Sequence, residues 1–264
     1  MNGHATHALI SLAIPTKYSV ELITDLYNGI RLACENYNID LIGGDTTAST
    51  TGLIISITII GESKPNKTTY RSGAKPGDLL VVSGDLGGAY LGLQILEREN
   101  TIFEQHQKSQ PILDQYSYIL EKQLKPEART DIIYKLDQLN IAPTSMIDIS
   151  DGLSSESQHL LANQPIGIKI FENKIPISDE VKKVAIELNI DTITCALYGG
   201  EEYEILFTMP PLEYAKIEND SDLTAIGHVT SSKGNLELIT RSNQIINLNE
   251  GGWDSFSKNN NTNI

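Results

Sequence analysis

The sequence predicts an α+β fold in two domains, on three observations. Residues 53–61 (LIISITIIG) alternate apolar side chains with Ser and Thr, the period of a strand in a largely antiparallel sheet. Elsewhere apolar residues recur at helical spacing, as at Leu22, Ile23, Leu26, Ile30, Leu32 and Ala33. The polar segment 62–69, which contains Pro65, divides a first domain (residues 1–66) from a second (residues 67–257). Mixed strands and helices with an antiparallel component argue against a doubly wound parallel sheet.

Taken in order, residues 8–15 (ALISLAIP) read as a buried strand with almost no chain in front of it. A helix over 19–36 and a short strand over 39–42 follow, the strand running into Gly43-Gly44-Asp45-Thr46-Thr47. After the strand at 53–61, the second domain opens with the turn-rich segment 71–78 (RSGAKPGD). A strand at 79–83 leads through Gly84-Asp85-Leu86-Gly87-Gly88 into a helix from 89 to about 100. A polar stretch precedes a helix at 126–139, and 146–152 is a strand end followed by a helix at 153–162. Strands at 166–171, 204–208, 225–229 and 236–239 and a helix at 179–188 complete the domain. The polar tail 258–264 (KNNNTNI) is expected to be disordered.

Composition narrows the function. The chain has 264 residues, 40% of them hydrophobic, enough to build a core. Lys plus Arg number 20 against 34 Asp plus Glu, a net charge of −14. That balance disfavours nucleic acid and anionic membranes, which are bound mainly through basic side chains. An anionic substrate would need metal ions to draw it in. Cys34 and Cys195 form no CxxC, and the histidines form no HExxH, so a disulfide framework and a zinc site are not expected. Without an apolar run of about 18 residues or a signal peptide, the expected compartment is the cytoplasm.

Asp148-Ile149-Ser150-Asp151-Gly152 carries the most chemical information. On a strand, Met146, Asp148 and Ser150 point to one face while Ile147 and Ile149 point to the other. Ser150 or Asp151 is expected to cap the helix that begins at Leu153, and for Asp151 that would be a sufficient explanation. Two carboxylates and a hydroxyl at a strand end also form a hard-oxygen set suited to Mg²⁺. Gly43-Gly44-Asp45 reads either as a β-turn or as a close approach to phosphate followed by a metal-holding aspartate. Gly84 to Gly88 reads as a tight turn. Gly199-Gly200-Glu201-Glu202-Tyr203-Glu204 is either a solvated charge run or a group of binding carboxylates at a strand mouth. Trp253, after Gly251-Gly252, is either a core anchor or a stacking surface. There is no GxxxxGK[ST], no kinase HRD or DFG, no GxSxG and no Cys–His pair, so no covalent nucleophile is expected.

In this order, GGDTT, RSGAKPGD, MIDISDGL, GGEEYEILFT and GGW resemble thiamine-monophosphate kinase, of the aminoimidazole-ribotide-synthetase-like ATP-binding superfamily. The resemblance runs from Met1 to about Phe256. It implies a two-domain fold of mixed and antiparallel sheets packed by helices. It also implies transfer of the ATP γ-phosphate onto thiamine monophosphate with several Mg²⁺ ions. By that resemblance Asp45, Asp148 and Asp151 hold metal; Tyr27, Gly44, Asp45, Arg71 and Ser150 contact ATP; and Glu201 and Trp253 contact thiamine monophosphate. These few carboxylates account for the site, which leaves most of the acidic excess as solvating surface. A homodimer is the family expectation.

The sequence departs from the family at two places. Glu202 stands where the family commonly has Asp. Met1-Asn2-Gly3 aligns with an internal Met-Gly, so a lead-in of about 80 residues, the size of half a domain, is expected to be missing. That segment carries the family's Gly-Asp-Asp motif and a dimerisation strand. Two alternatives follow: a non-catalytic nucleotide-binding remnant, or a superfamily relative with another acceptor, such as selenophosphate synthetase.

Overall fold

A computed structural model describes residues 1–105 and 112–248. Trp253 and the tail from Lys258 lie outside the described residues. The chain forms two compact units, one of residues 2–68 and the other of Met1 with the chain from Thr69 onward.

The smaller unit contains β1 (His4–Pro15), α1 (Val20–Tyr37), β2 (Asp40–Ser49) and β3 (Ile54–Glu62). Its sheet has the order β2-β1-β3, with β1 parallel to β2 and antiparallel to β3. Parallel neighbours need a long crossover, which α1 supplies. The Ser19 hydroxyl starts α1 by accepting from the Leu22 N–H at 3.3 Å. Asn38 ends it in the left-handed region at φ +54°, which asparagine tolerates. Ala8, Ile10 and Leu12 of the central strand are buried, whereas Ile54, Ile55, Ile57, Ile59 and Ile60 of β3 are exposed. β2 is longer than the sequence predicts: it continues through Gly43 to Thr47, so this motif is strand and not a turn.

The larger unit is built on β4 (Leu79–Ser83), β5 (Ser145–Asp148), β6 (Gly167–Phe171), β7 (Ile205–Met209), β8 (Leu223–Thr230), β9 (Leu236–Ile239) and β10 (Ile245–Asn247). They form one sheet of order β10-β9-β6-β8-β4-β7-β5, in which β6 and β9 are parallel and the other described pairs antiparallel. Its helices are α2 (Gly88–Gln105), α3 (Ser117–Leu124), α4 (Thr130–Gln138), α5 (Leu153–Leu161), α6 (Asp179–Leu188) and α7 (Thr192–Tyr198).

Strand alternation divides the core between the two sheet faces. Leu80, Val82, Ile147, Ile149 and Leu206 pack with Leu153 and Leu160 of α5 and Leu197 of α7. Val81, Met146, Ile205 and Phe207 pack with Ile132, Ile133 and Leu136 of α4. A third cluster joins α2, α3 and α6 through Leu91, Ile95, Ile119 and Val184. The helix expected at 126–139 begins only at Thr130, and the polar stretch before it contains α3. α7 (TITCALY) is too short to show a helical period, and its β-branched residues favour strands locally.

Candidate active site

The smaller unit carries an open groove of about 480 Å³ lined by Tyr27 of α1 and by Leu41, Ile42, Gly43, Gly44, Asp45 and Thr46 of β2. The register of β1 against β2 steps from Ala8–Leu41 to Leu9–Gly43, leaving Ile42 as an extra residue. Such a bulge re-aims the side chains that follow it. A side chain at Gly44 would place its Cβ 1.7 Å from the Ile10 carbonyl oxygen, so only glycine permits this close approach of the strands. The groove therefore brings Tyr27, Gly44 and Asp45 together, with bare backbone beside the carboxylate.

In the larger unit, Asp148 ends β5 and is half-buried, Ser150 follows it, and Asp151 is exposed. The loop before β7 pairs with this strand end. Glu201 N–H donates to the Ser150 carbonyl, Tyr203 N–H to the Ile149 carbonyl and Ile149 N–H to the Glu204 carbonyl, each at 2.8 Å. These bonds place Glu201 beside the segment of Asp148, Ser150 and Asp151. The Tyr203 hydroxyl donates to Glu201 Oε2 at 2.8 Å. That bond to a carboxylate raises the Tyr203 phenol to about 12, with burial adding to it. Arg71 is exposed and follows Tyr70, whose carbonyl accepts from Met146 N–H at 3.0 Å, so it lies alongside β5.

The expected side-chain cap of α5 is absent. The capping residue is Gly152, at φ +115°, and neither Ser150 nor Asp151 bonds the first turn through its side chain. A Cβ at Gly152 would lie 2.7 Å from the Leu197 carbonyl oxygen, so the chain turns here only because the residue is glycine. Glu156 instead reaches back, its Oε1 accepting from Asp151 N–H at 3.4 Å. This leaves both aspartate side chains free of capping duty. Burial raises the Glu156 carboxyl to about 7, and Asp151 and Asp148 repel its negative form further.

The charge-run reading of Glu202 and Glu204 is overturned, because both are buried. Glu202 Oε1 accepts from the N–H groups of Gly87 and Ala89 at 2.7 and 3.1 Å, at the start of α2. Glu204 Oε2 accepts from the Ser83 hydroxyl at 2.6 Å and pairs with Arg129. Lys122 lies 2.7 Å from Asp85, 3.4 Å from Glu204 and 3.9 Å from Glu202. Of the three glutamates, only Glu201 faces solvent.

Among the described residues, no group of three or more carboxylate, imidazole or thiol side chains is gathered to hold a metal by itself. Asp148 and Asp151 supply hard oxygens, and the buried Glu156 Oε2 beside them has no hydrogen-bond partner. Magnesium usually takes one or two carboxylates and completes its shell with phosphate and water oxygens. The donor chemistry fits a magnesium ion bound together with a phosphate ligand.

The family model for AIR synthase related protein, N-terminal domain, matches residues 1–63. Thiamine-monophosphate kinase of Aquifex aeolicus is 33% identical over 227 residues, which are 86% of this chain and 68% of that relative. The Pyrococcus abyssi thiamine-monophosphate kinase is 34% identical over 257 residues, 97% of this chain and 74% of its own length. The chain belongs to the thiamine-monophosphate kinase family. The family is one of enzymes, ATP-dependent phosphotransferases. A solved structure of AaThiL complexed with AMPPCP and TMP superposes with a TM-score of 0.81 at 29% identity, covering 97% of this chain and 75% of that one. The hydrogenase maturation protein HypE, at 16% identity and a TM-score of 0.73, shares the fold. The aminoimidazole-ribotide-synthetase-like α+β architecture expected from the motifs is therefore the observed one.

The sequence announced neither Glu156, Lys122 and Arg129 nor the contacts that Glu202, Tyr203 and Glu204 make. The pairs Glu204–Lys122 and Glu204–Arg129 are 82 and 75 residues apart in the chain, so no local pattern announces them.

Proposed function

We propose that this chain is a magnesium-dependent thiamine-monophosphate kinase. A phosphate oxygen of thiamine monophosphate attacks the γ-phosphorus of ATP, and the bond from that phosphorus to the β,γ-bridging oxygen breaks. ADP leaves with the electron pair, and the products are thiamine diphosphate and ADP. The observation that carries this reading is the pairing of the Asp148–Asp151 segment with the Glu201 loop through the 2.8 Å bond from Glu201 N–H to the Ser150 carbonyl. It sets hard carboxylates beside an exposed acceptor for a cationic substrate.

Phosphoryl transfer between two anions requires positioning and charge neutralisation rather than a covalent nucleophile. Asp45, Asp148 and Asp151 would hold Mg²⁺, which when bound neutralises phosphate charge. Tyr27, Gly44, Asp45, Arg71 and Ser150 contact the nucleotide, with bare backbone at Gly44 and the cation of Arg71 suited to phosphate. Glu201 attracts the positively charged thiazolium of thiamine monophosphate. Trp253, outside the described residues, is assigned by motif order to stack on its rings. The domain boundary we assign lies near Pro65, between residues 1–66 and 67–257. The exposed isoleucines of β3 support a homodimer. The working compartment we assign is the cytoplasm, with no nucleic-acid or membrane partner.

The test incubates the protein with ATP, Mg²⁺ and thiamine monophosphate and follows thiamine diphosphate by chromatography. Formation of thiamine diphosphate with matching ADP is expected. AMPPCP binding without turnover would make the chain a nucleotide-binding protein only. ADP formation that needs a different acceptor would overturn the assigned substrate.

A further inference from the structure

We propose that Glu202 is a positioning residue for substrate binding: its buried carboxylate ties the 199–203 loop to the start of α2 and so holds Glu201 in the orientation that presents its carboxylate. The inference rests on the reading of Glu201 as a thiamine-monophosphate contact.

Three observations carry it. First, Glu201 and Tyr203, the two neighbours of Glu202, both have left-handed backbones, at φ +66° and +55°. Bulky non-glycine residues rarely adopt this conformation, and it persists only where surrounding contacts over-determine it. Secondly, the residue between them points the opposite way, into the protein. Glu202 Oε1 receives both the Gly87 and the Ala89 N–H groups, at 2.7 and 3.1 Å. Its side chain is fully buried, with the Lys122 ammonium 3.9 Å from Oε2. Thirdly, the backbone of the segment is tied to the strand end of Asp148 through Ser150 and Ile149, and the Glu202 side chain adds a tie in the opposite direction, to the start of α2.

The carboxylate of Glu202 thus ties the centre of the strained segment to the start of α2. The two amides it accepts are those of Gly87, immediately before an 18-residue helix, and of Ala89 in its first turn, where N–H groups have no partner within the helix. The two hydrogen bonds and the helix dipole draw a carboxyl oxygen to this spot, against the cost of burying its charge. With the anchor removed, Glu201 and Tyr203 can return to negative φ, which rotates the Glu201 carboxylate away from its place beside Ser150. Glu204 does not serve the same purpose, because it continues directly into β7 and its side chain holds Ser83 and Arg129.

The experiment compares the intact protein with Glu202→Ala and Glu202→Gln, measuring kcat and the KM values for thiamine monophosphate and ATP separately. Glutamine keeps an acceptor oxygen for the two amides; alanine does not. Glu202→Ala is expected to raise KM for thiamine monophosphate by about tenfold or more with KM for ATP within about twofold, and Glu202→Gln to stay within about threefold of the parent on both. An unchanged KM for thiamine monophosphate in a folded Glu202→Ala protein overturns the proposal. So does an equal rise in both KM values, or a glutamine variant as impaired as alanine. Should Glu202→Ala not fold, Glu202→Asp withdraws the carboxylate from the two amides by one methylene. A several-fold rise in KM for thiamine monophosphate alone is then expected, and none would overturn the proposal. If the parent forms no thiamine diphosphate, the kinase reading itself fails and takes this inference with it. Parent turnover with an indifferent Glu202 removes only the inference.

Discussion

The Tyr203 hydroxyl donates to the Glu201 carboxylate at 2.8 Å, joining two residues that both have left-handed backbones. The bond fixes one carboxylate oxygen and leaves the other for a ligand. Tyr203→Phe is expected to raise KM for thiamine monophosphate about three- to fivefold, with kcat and KM for ATP little changed. Steady-state kinetics with each substrate varied in turn checks this.

Asp148 and Asp151 do no capping work for α5, so neither side chain supports the helix. Asp148→Asn and Asp151→Asn are each expected to lower kcat by roughly 100-fold or more, through loss of metal-held charge neutralisation. The melting temperature should move by less than about 3 °C. Magnesium titration of activity should show a raised half-saturation point for each variant.

Gly152 adopts φ +115° with the Leu197 carbonyl where a Cβ would stand. Gly152→Ala combines backbone strain with a steric clash and should destabilise the larger unit by about 2 kcal/mol or more. Chemical denaturation monitored by circular dichroism measures it.

Arg129 pairs with Glu204, and both side chains are largely removed from solvent. Arg129→Met leaves a buried carboxylate with fewer partners and is expected to cost roughly 3 kcal/mol. Combining it with Glu204→Gln should recover part of that loss, a coupling that a double-mutant cycle measures.

Burial raises the Glu202 carboxyl to about 7, against the lowering influence of Lys122 and of the Ala89 and Gly87 amides; Asp85 adds to the rise. Cys195 of α7 also faces it, and its thiol is itself raised to about 12, chiefly by burial. The folded value lies above the ordinary 4.5, so the folded protein retains a proton that the unfolded chain releases as pH rises from about 4.5. The stability this group contributes is full below about 4.5 and is lost as pH rises through about 7. Glu202→Gln has no such titration. The melting temperature of the parent relative to the variant should therefore be higher at pH 5 than at pH 8, by roughly 3 °C or more. Thermal melts at the two pH values decide it.

The strand at 79–83 was legible as a short continuous apolar run, those at 166–171 and 236–239 because their apolar residues carry a period of two, and the long helix α1 because its period is near 3.6. Asp45, Asp148, Ser150, Asp151 and Glu201 were legible as a chemical set, since hard oxygens beside glycine-rich turns suit phosphate and magnesium. The position of GGDTT inside β2 was not, because two adjacent glycines locally favour a turn and only pairing with β1 holds them extended. The helix cap at Gly152 was misread for a related reason: Ser150 and Asp151 are good caps locally, but their backbone is already engaged with the Glu201 loop and Glu156.

What the sequence determined by itself is the α+β class, the order of the longer and strongly periodic elements and the residue types of the site, since these follow from local periodicity and from chemistry written into short motifs. Tertiary structure alone decided which of three consecutive-looking acids faces solvent. Glu202 and Glu204 turn inward because Gly87, Ala89, Ser83, Lys122 and Arg129, distant in the chain, converge to satisfy carboxylates that would otherwise be too costly to bury. Glu201 remains outside, held by a strained backbone whose anchor lies one residue away.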